Sequence, residues 1–361
     1  MSRGWNFSAG PAAMPEEVLR RAQRELVEWG GARASVMEVS HRGKAFMDMA
    51  ANAEADLREL LGVPVNYRVL FLTGGATQHF AQIPMNIAAD GQRADYVVTG
   101  HWGEKAVGEA APYARPHIAA TSKPEGYTSI PDRATWDLDP QAAYVHITTN
   151  ETIHGIEMQD IPDVGGVPLV ADMSSDILSR PLEVPKFGLI YAGAQKNIGP
   201  SGLVVMIARE DLLERHPRPL PRIFRYAEYA AADSMLNTPN TWGWYLAGLT
   251  FQWLKAQGGL SEMERRNRAK AELLYATIDD SGDFYRNPVA PTVRSRMNVR
   301  FHLHDPALES LFVADAEQSG LLALKGHRAL GGIRASIYNA MPLEGVRALC
   351  GFMAEFMRAH G

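Results

Sequence analysis

Lys196 stands in the segment YAGAQKNIGPSG, directly after an apolar, strand-like run. Ligands of open α/β sheets bind at the carboxyl ends of the strands, and a lysine there can condense with an aldehyde cofactor. Gly193, Gly199 and Gly202 flank it and let the backbone pass close to a bulky ligand. An isolated lysine of this kind reads more readily as a solvated loop residue. Asp172 shifts that balance. It ends the run VPLVADMSS, so its carboxylate falls at the same sheet edge as Lys196. A carboxylate paired with a pyridinium nitrogen keeps the nitrogen protonated and the ring electron-withdrawing. The plainer reading of Asp172 is a cap for a segment starting at Ser174 or Ser175. Two further features follow strands. The turn Gly74-Gly75-Ala76-Thr77 opens a helical stretch whose free N–H groups suit a phosphate. Trp102, in VVTGHWGEKA, offers a flat face to a ring, although a packing role is the commoner use of tryptophan.

These residues need a scaffold, and the apolar pattern supplies one. Short continuous apolar runs at Tyr67–Leu72, Tyr96–Thr99, Ala143–Thr148, Pro168–Ala171, Leu189–Ala192 and Leu203–Ala208 predict strands covered on both faces. Helical spacing predicts helices over 15–29 and 45–61, and again from about Thr241. Shorter elements return after Gly282, with strands near Met297–Leu303 and Ile333–Tyr338, a helix near Ala307–Ser319 and a last helix to the end. The fold class is therefore α/β: a large domain with a mainly parallel central sheet, over 16–260. A smaller α+β domain is expected from 1–15 and 261–361. The chain has 361 residues and a net charge of −5, without a basic block, so nucleic acid is not an expected partner. The apolar runs are too short to span a bilayer, and the first residues lack a signal-peptide core. A single cysteine, Cys350, forms no internal disulfide and sits in a helical apolar pattern, as suits packing in a reducing, cytoplasmic setting.

Seven segments together resemble the phosphoserine aminotransferase family, a branch of the class V aminotransferases among fold-type I pyridoxal-phosphate enzymes. They are FSAGPAAMP (7–15), SVMEVSHRGKAF (35–46), NETIHG (150–155), ADMSSDILSRP (171–181), YAGAQKNIGPSG (191–202), NTPNTW (237–242) and KGHRALGGIRASIYNAMPLEGV (325–346). The resemblance implies pyridoxal 5′-phosphate as cofactor. It implies amino transfer from glutamate to 3-phosphohydroxypyruvate in serine biosynthesis. In bacterial members it further suggests activity on the phosphorylated hydroxythreonine precursor of pyridoxine. No metal is expected. Lys196 resembles the cofactor-bound lysine, Asp172 the ring-nitrogen partner and Trp102 the stacking residue. Thr152 resembles the contact to the ring's phenolic oxygen, and Gln195 a phosphate contact. Ala76 and Thr77 correspond to backbone phosphate binders. Asn237 and Thr238 correspond to residues that reach the neighbouring subunit's cofactor phosphate, which implies a homodimer with shared sites. Some members carry an arginine where this chain has Thr77, so that positive charge is missing here.

The implied substrates carry a carboxylate and a second anionic group. Arginine's planar, permanently charged fork suits both, and histidine adds a pH-dependent donor. The candidates are His41 and Arg42, His327 and Arg328, and Arg334. By resemblance Arg334 takes the α-carboxylate and His41 and Arg42 the far anion, with His327 and Arg328 arriving from the partner subunit. Two His-Arg pairs disfavour an alanine- or serine-glyoxylate aminotransferase, whose small side chain needs no second anion site. Cys350 in a terminal helix does not suit a cysteine desulfurase. A non-catalytic binding protein on the same scaffold is the alternative of a different class.

Overall fold

The computed structural model describes residues 3–215 and 217–361. Its centre is a seven-stranded sheet. In chain order the strands are β1 (Tyr67–Thr73), β2 (Arg93–Val98), β3 (Arg115–Thr121), β4 (Val145–Thr148), β5 (Leu169–Asp172), β6 (Leu189–Gly193) and β7 (Leu203–Arg209). In space they run β1-β7-β6-β5-β4-β2-β3. All pairings are parallel except those of β7, which is antiparallel to both β1 and β6. The mainly parallel sheet is thus as expected, and its continuous apolar runs have the expected cause. Val69 and Phe71 enter one apolar cluster with Val145, Ile147, Val205 and Ile207. Leu70 and Leu72, one residue out of step, enter a second with Tyr96, Val98, Val204 and Met206. Both faces are covered, so neither shows a polar alternation.

Strand β3 was not anticipated. It is one of the sheet's two edges, is largely half-exposed, and contains Pro116. An edge strand tolerates proline and a mixed polar composition, which erases the pattern on which the other strands were read.

Helix Lys44–Leu61 buries Phe46, Ala50, Ala53, Leu57 and Leu61, a helical stripe that packs on helix Thr241–Ala256. The long helix Gly259–Asp279 leads to a three-stranded antiparallel sheet of β8 (Tyr285–Arg286), β9 (Asn298–Leu303) and β10 (Ile333–Ser336). A third apolar cluster lies here. It joins Phe7 to Leu274, Val299, Phe301, Phe312, Ala335, Leu349 and Phe356, and half-buried Cys350 packs at its border. The last helix, Leu343–His360, covers this sheet.

Polar contacts tie the third cluster's elements to one another and to the two-stranded ribbon Asn150–Glu157. Arg296 forms a buried ion pair with Glu157. Asn150 donates to Asn298 Oδ1 at 2.8 Å and accepts from Ser295 Oγ at 2.6 Å. Lys270, fully buried, donates to the carbonyls of Ile337, Tyr338 and Met341 at 2.7–2.9 Å, which orders the loop after β10. Among the described residues no helix is long and apolar enough to cross a membrane.

Candidate active site

Strands β5 and β6 are adjacent and parallel, with Asp172 in register with Tyr191. Their carboxyl ends therefore deliver Asp172 and Lys196 to one edge, as the spacing suggested. Asp172 closes β5 and is buried; its Oδ1 accepts from Ser174 N at 2.9 Å and Ser174 Oγ at 2.6 Å. The residues after it form turns rather than a helix, so Asp172 caps no helix. Burial raises its pKa above the ordinary carboxylate value, opposed by the charge of Lys196 and the Ser174 bonds.

Lys196 Nζ donates to Thr152 Oγ1 at 2.6 Å and lies 5.7 Å from the centroid of the Trp102 ring. Burial lowers its pKa to about 8, against the pull of the Asp172 and Glu151 carboxylates. Desolvation disfavours an ammonium more strongly here than the nearby acids favour it. A lysine so perturbed is an available nucleophile and base near neutral pH.

The helix Ala76–Ile87 starts beside this edge. A Cβ on Gly193 would lie 3.6 Å from Ala76 N, which measures how near the helix start comes to the end of β6. Gly75 makes no side-chain cap, and of the first-turn N–H groups Gln78 N bonds to the Gly75 carbonyl at 3.1 Å. Gly74 takes φ +123°, which L side chains rarely adopt, to turn the chain from β1 into this helix. Ser174 Oγ accepts from Gly193 N at 3.0 Å and ties the Asp172 end to this turn. Gln195 sits next to the segment from Gly10 to Ala12, whose Ala12 N donates to the Gln195 carbonyl at 2.8 Å. Thr77 is exposed at the helix start.

Arg334, on β10, donates weakly to the Thr152 carbonyl at 3.5 Å, and burial lowers its pKa. No carboxylate forms an ion pair with it among the described residues. His327 belongs to a tight loop that folds back before β10, with Gly326 N bonded to Gly332 O at 2.8 Å. Its ring lies 5.9 Å from His101, the residue before Trp102. Burial lowers its pKa, reinforced by Arg334, His101, Arg328 and Lys105. Arg328, beside it, is exposed.

Other expected residues are not brought to Lys196 by any hydrogen bond or ion pair. Arg42 is exposed and its N–H bonds to Ser40 Oγ at 3.3 Å, while His41 Nε2 is buried without a partner. Asn237 and Thr238 lie on an exposed loop, where Asn237 accepts from Tyr229 Oη at 3.2 Å.

Three residues at the site escaped the sequence reading. Ser174 bridges Asp172 and Gly193. Tyr338 donates to the Ala9 carbonyl at 2.8 Å and so holds the first segment over the site. Glu151, wholly buried, accepts from the backbone N–H groups of Trp102 and Gly103. Each acts through a contact distant in sequence, and no local pattern marks it. In Glu151 the only trace is a charged residue inside a segment, NETIHG, that is buried throughout.

The residues present suit pyridoxal phosphate: a lysine of lowered pKa, a buried carboxylate, an aromatic face and an uncapped helix start converge, and Trp102 Nε1 is buried without a partner. Comparison with known proteins agrees. The Aminotransferase class-V family model matches residues 4–349. A phosphoserine aminotransferase of Stenotrophomonas maltophilia is 60% identical over 100% of both chains. A solved phosphoserine aminotransferase from Bacillus circulans subsp. alkalophilus superposes with a TM-score of 0.98 at 49% identity, covering 99% of each chain. A PLP-bound phosphoserine aminotransferase from Trichomonas vaginalis gives 0.94 at 42% identity, covering 98% of this chain and 100% of that one. With a family model matched along nearly its whole length and full-length relatives at this identity, the chain belongs to the class V aminotransferases, in their phosphoserine aminotransferase branch.

Proposed function

We propose that this chain transfers the amino group of glutamate to 3-phosphohydroxypyruvate, yielding 2-oxoglutarate and phosphoserine in two half-reactions at one site. The observation that carries the reading is the convergence of Lys196, Asp172, Thr152 and Trp102 beside Arg334, which has no ion-pair partner among the described residues. Pyridoxal phosphate, when bound, supplies an electron sink that stabilises negative charge at the substrate Cα.

The protein's own residues do the rest. Lys196 would hold the cofactor and, as a neutral amine that its lowered pKa makes accessible, would move a proton at the substrate Cα. Asp172 keeps the ring nitrogen protonated. Trp102 covers the ring and Thr152 steadies its phenolic oxygen. Ala76, Thr77 and Gln195 hold the phosphate, aided by the positive end of the helix. Arg334 orients the α-carboxylate. His41 and Arg42 take the far anion, whether carboxylate or phosphate, with His327 and Arg328 arriving from the neighbouring subunit. A buried guanidinium without its anion is costly, so an uncharged side chain is rejected.

Three wider features complete the reading. Residues 16–260 act as the cofactor-binding domain, and 1–15 with 261–361 as the smaller one; the apolar cluster joining Phe7 to residues beyond 270 supports this division. The enzyme works as a homodimer, with Asn237 and Thr238 serving the neighbouring site; their exposed loop supports that role. A cytoplasmic location suits the lone cysteine.

The test supplies purified enzyme with pyridoxal phosphate, glutamate and equal amounts of phosphohydroxypyruvate and hydroxypyruvate. A large excess of phosphoserine over serine is expected. Equal yields would discard the anion pocket, and no amino-acid product from folded protein would discard the enzyme.

A further inference from the structure

Glu151 is a carboxylate with no solvent exposure, and the chemistry proposed above does not use it. Its Oε2 accepts from Trp102 N at 3.1 Å and its Oε1 from Gly103 N at 2.9 Å. These are first-turn N–H groups of the helix His101–Ala110, which has no side-chain cap from its own Gly100. The carboxylate thus reaches the helix start from a different strand, and both of its oxygens are used. Ionised acceptors at a helix start are favoured, since the N–H groups there are unpaired and the end is partly positive.

Gly100 shows that the chain makes room for this contact. Its φ of 173° is extended and open to any residue. Its missing side chain is what matters, because a Cβ at this position would lie 2.5 Å from Glu151 Cδ and 2.6 Å from Cγ. At Gly103 a Cβ would lie 3.5 Å from Glu151 Oε1. On the other side, Glu151 pairs with Ile156 in a tight antiparallel turn, and its carbonyl accepts from Gly155 N at 2.8 Å. The next residue, Thr152, accepts a hydrogen bond from Lys196 Nζ at its Oγ1. One rigid turn therefore carries both the Lys196 partner and the acid that holds the main chain of Trp102.

We infer that Glu151 is a positioning residue that sets the indole of Trp102 over the cofactor site through the N–H groups of residues 102 and 103, with Gly100 admitting it. The inference rests on the reading of Trp102 as the residue that covers the ring. Burial pushes the Glu151 pKa up to about 7, although the N–H groups of Gly103 and Trp102 draw it down. Amide in place of one oxygen then sets N–H against N–H.

The test uses full-length protein labelled with 5-fluorotryptophan, with the Trp102 resonance assigned by Trp102→Phe. In the cofactor-free protein, Glu151→Gln and Gly100→Ala should each move or broaden the Trp102 resonance and leave the other six tryptophans in place. Both variants should weaken pyridoxal phosphate binding at least tenfold and lower kcat, with KM for glutamate unchanged. In a Glu151→Ala background, Gly100→Ala should add nothing, because the clash has gone. Gly100→Ala retains the carboxylate and carries the test alone where Glu151→Gln does not fold. An unmoved Trp102 resonance with normal cofactor affinity in both variants overturns the inference. An additive effect of Gly100→Ala in the Glu151→Ala background overturns it too. Normal cofactor binding and turnover in Trp102→Phe would instead remove the stacking role on which it stands.

Discussion

Lys196 has its ordinary pKa lowered to about 8, and that sets the sign of a pH effect. Below about pH 8 the group is an ammonium and cannot attack a carbonyl; above it the amine is free. Capture of pyridoxal phosphate by the cofactor-free enzyme should therefore quicken as pH rises, with an inflection near 8, followed by the visible absorbance of the bound cofactor. A rate flat from pH 6 to 9 would contradict the placement of Lys196 in a desolvated site. Lys196→Ala should abolish both turnover and that absorbance, and retention of either removes the assignment. Arg334 makes no ion pair among the described residues, and the proposed function gives its anion to the substrate. Arg334→Ala should cost about 1.5–3 kcal/mol of charged hydrogen bonding, or roughly 10- to 100-fold in kcat/KM for both glutamate and phosphohydroxypyruvate. A change confined to cofactor affinity would refute that role.

Elements matter here through how firmly they are joined. The turn carrying Asn150, Glu151 and Thr152 is tied to the segment 295–298 by the Glu157–Arg296 pair and by the bonds of Asn150 to Asn298 and Ser295. Glu157→Ala leaves Arg296 buried without its main partner. Breaking one side of a buried pair costs about 3–5 kcal/mol, so a marked drop in the denaturation midpoint is expected. A midpoint within error of the parent would show that Glu264, which also contacts Arg296, suffices. Six of the seven central strands were legible from continuous apolar runs, because burial on both faces leaves that signature. The seventh, Arg115–Thr121, was not, since an edge strand with Pro116 and His117 is not required to be apolar.

The whole molecule decides which chain completes each site. Within one chain His327 lies 5.9 Å from His101, and in the proposed dimer His327 and Arg328 complete the neighbouring site. Asn237 and Thr238 are the other expected crossing residues. Subunits carrying Lys196→Ala, mixed and re-paired with subunits carrying Asn237→Ala and Thr238→Val, should regain high-affinity cofactor binding at half of the hybrid's sites. In such a hybrid the chain with Lys196 receives intact Asn237 and Thr238 from its neighbour. A titration that shows no recovery would mean that the loop serves its own chain.

The sequence by itself determined the parallel sheet, the edge at which Asp172 and Lys196 meet, and the helix start beside them. Strand ends and apolar runs are local properties, and the parallel register of β5 and β6 turns them into proximity. Only the tertiary structure decided the contacts of Glu151, Ser174 and Tyr338. Those depend on which distant backbone groups come within hydrogen-bond reach once the chain is packed. A single side chain such as Glu151 carries no mark of the two N–H groups, some fifty positions away, that it will hold.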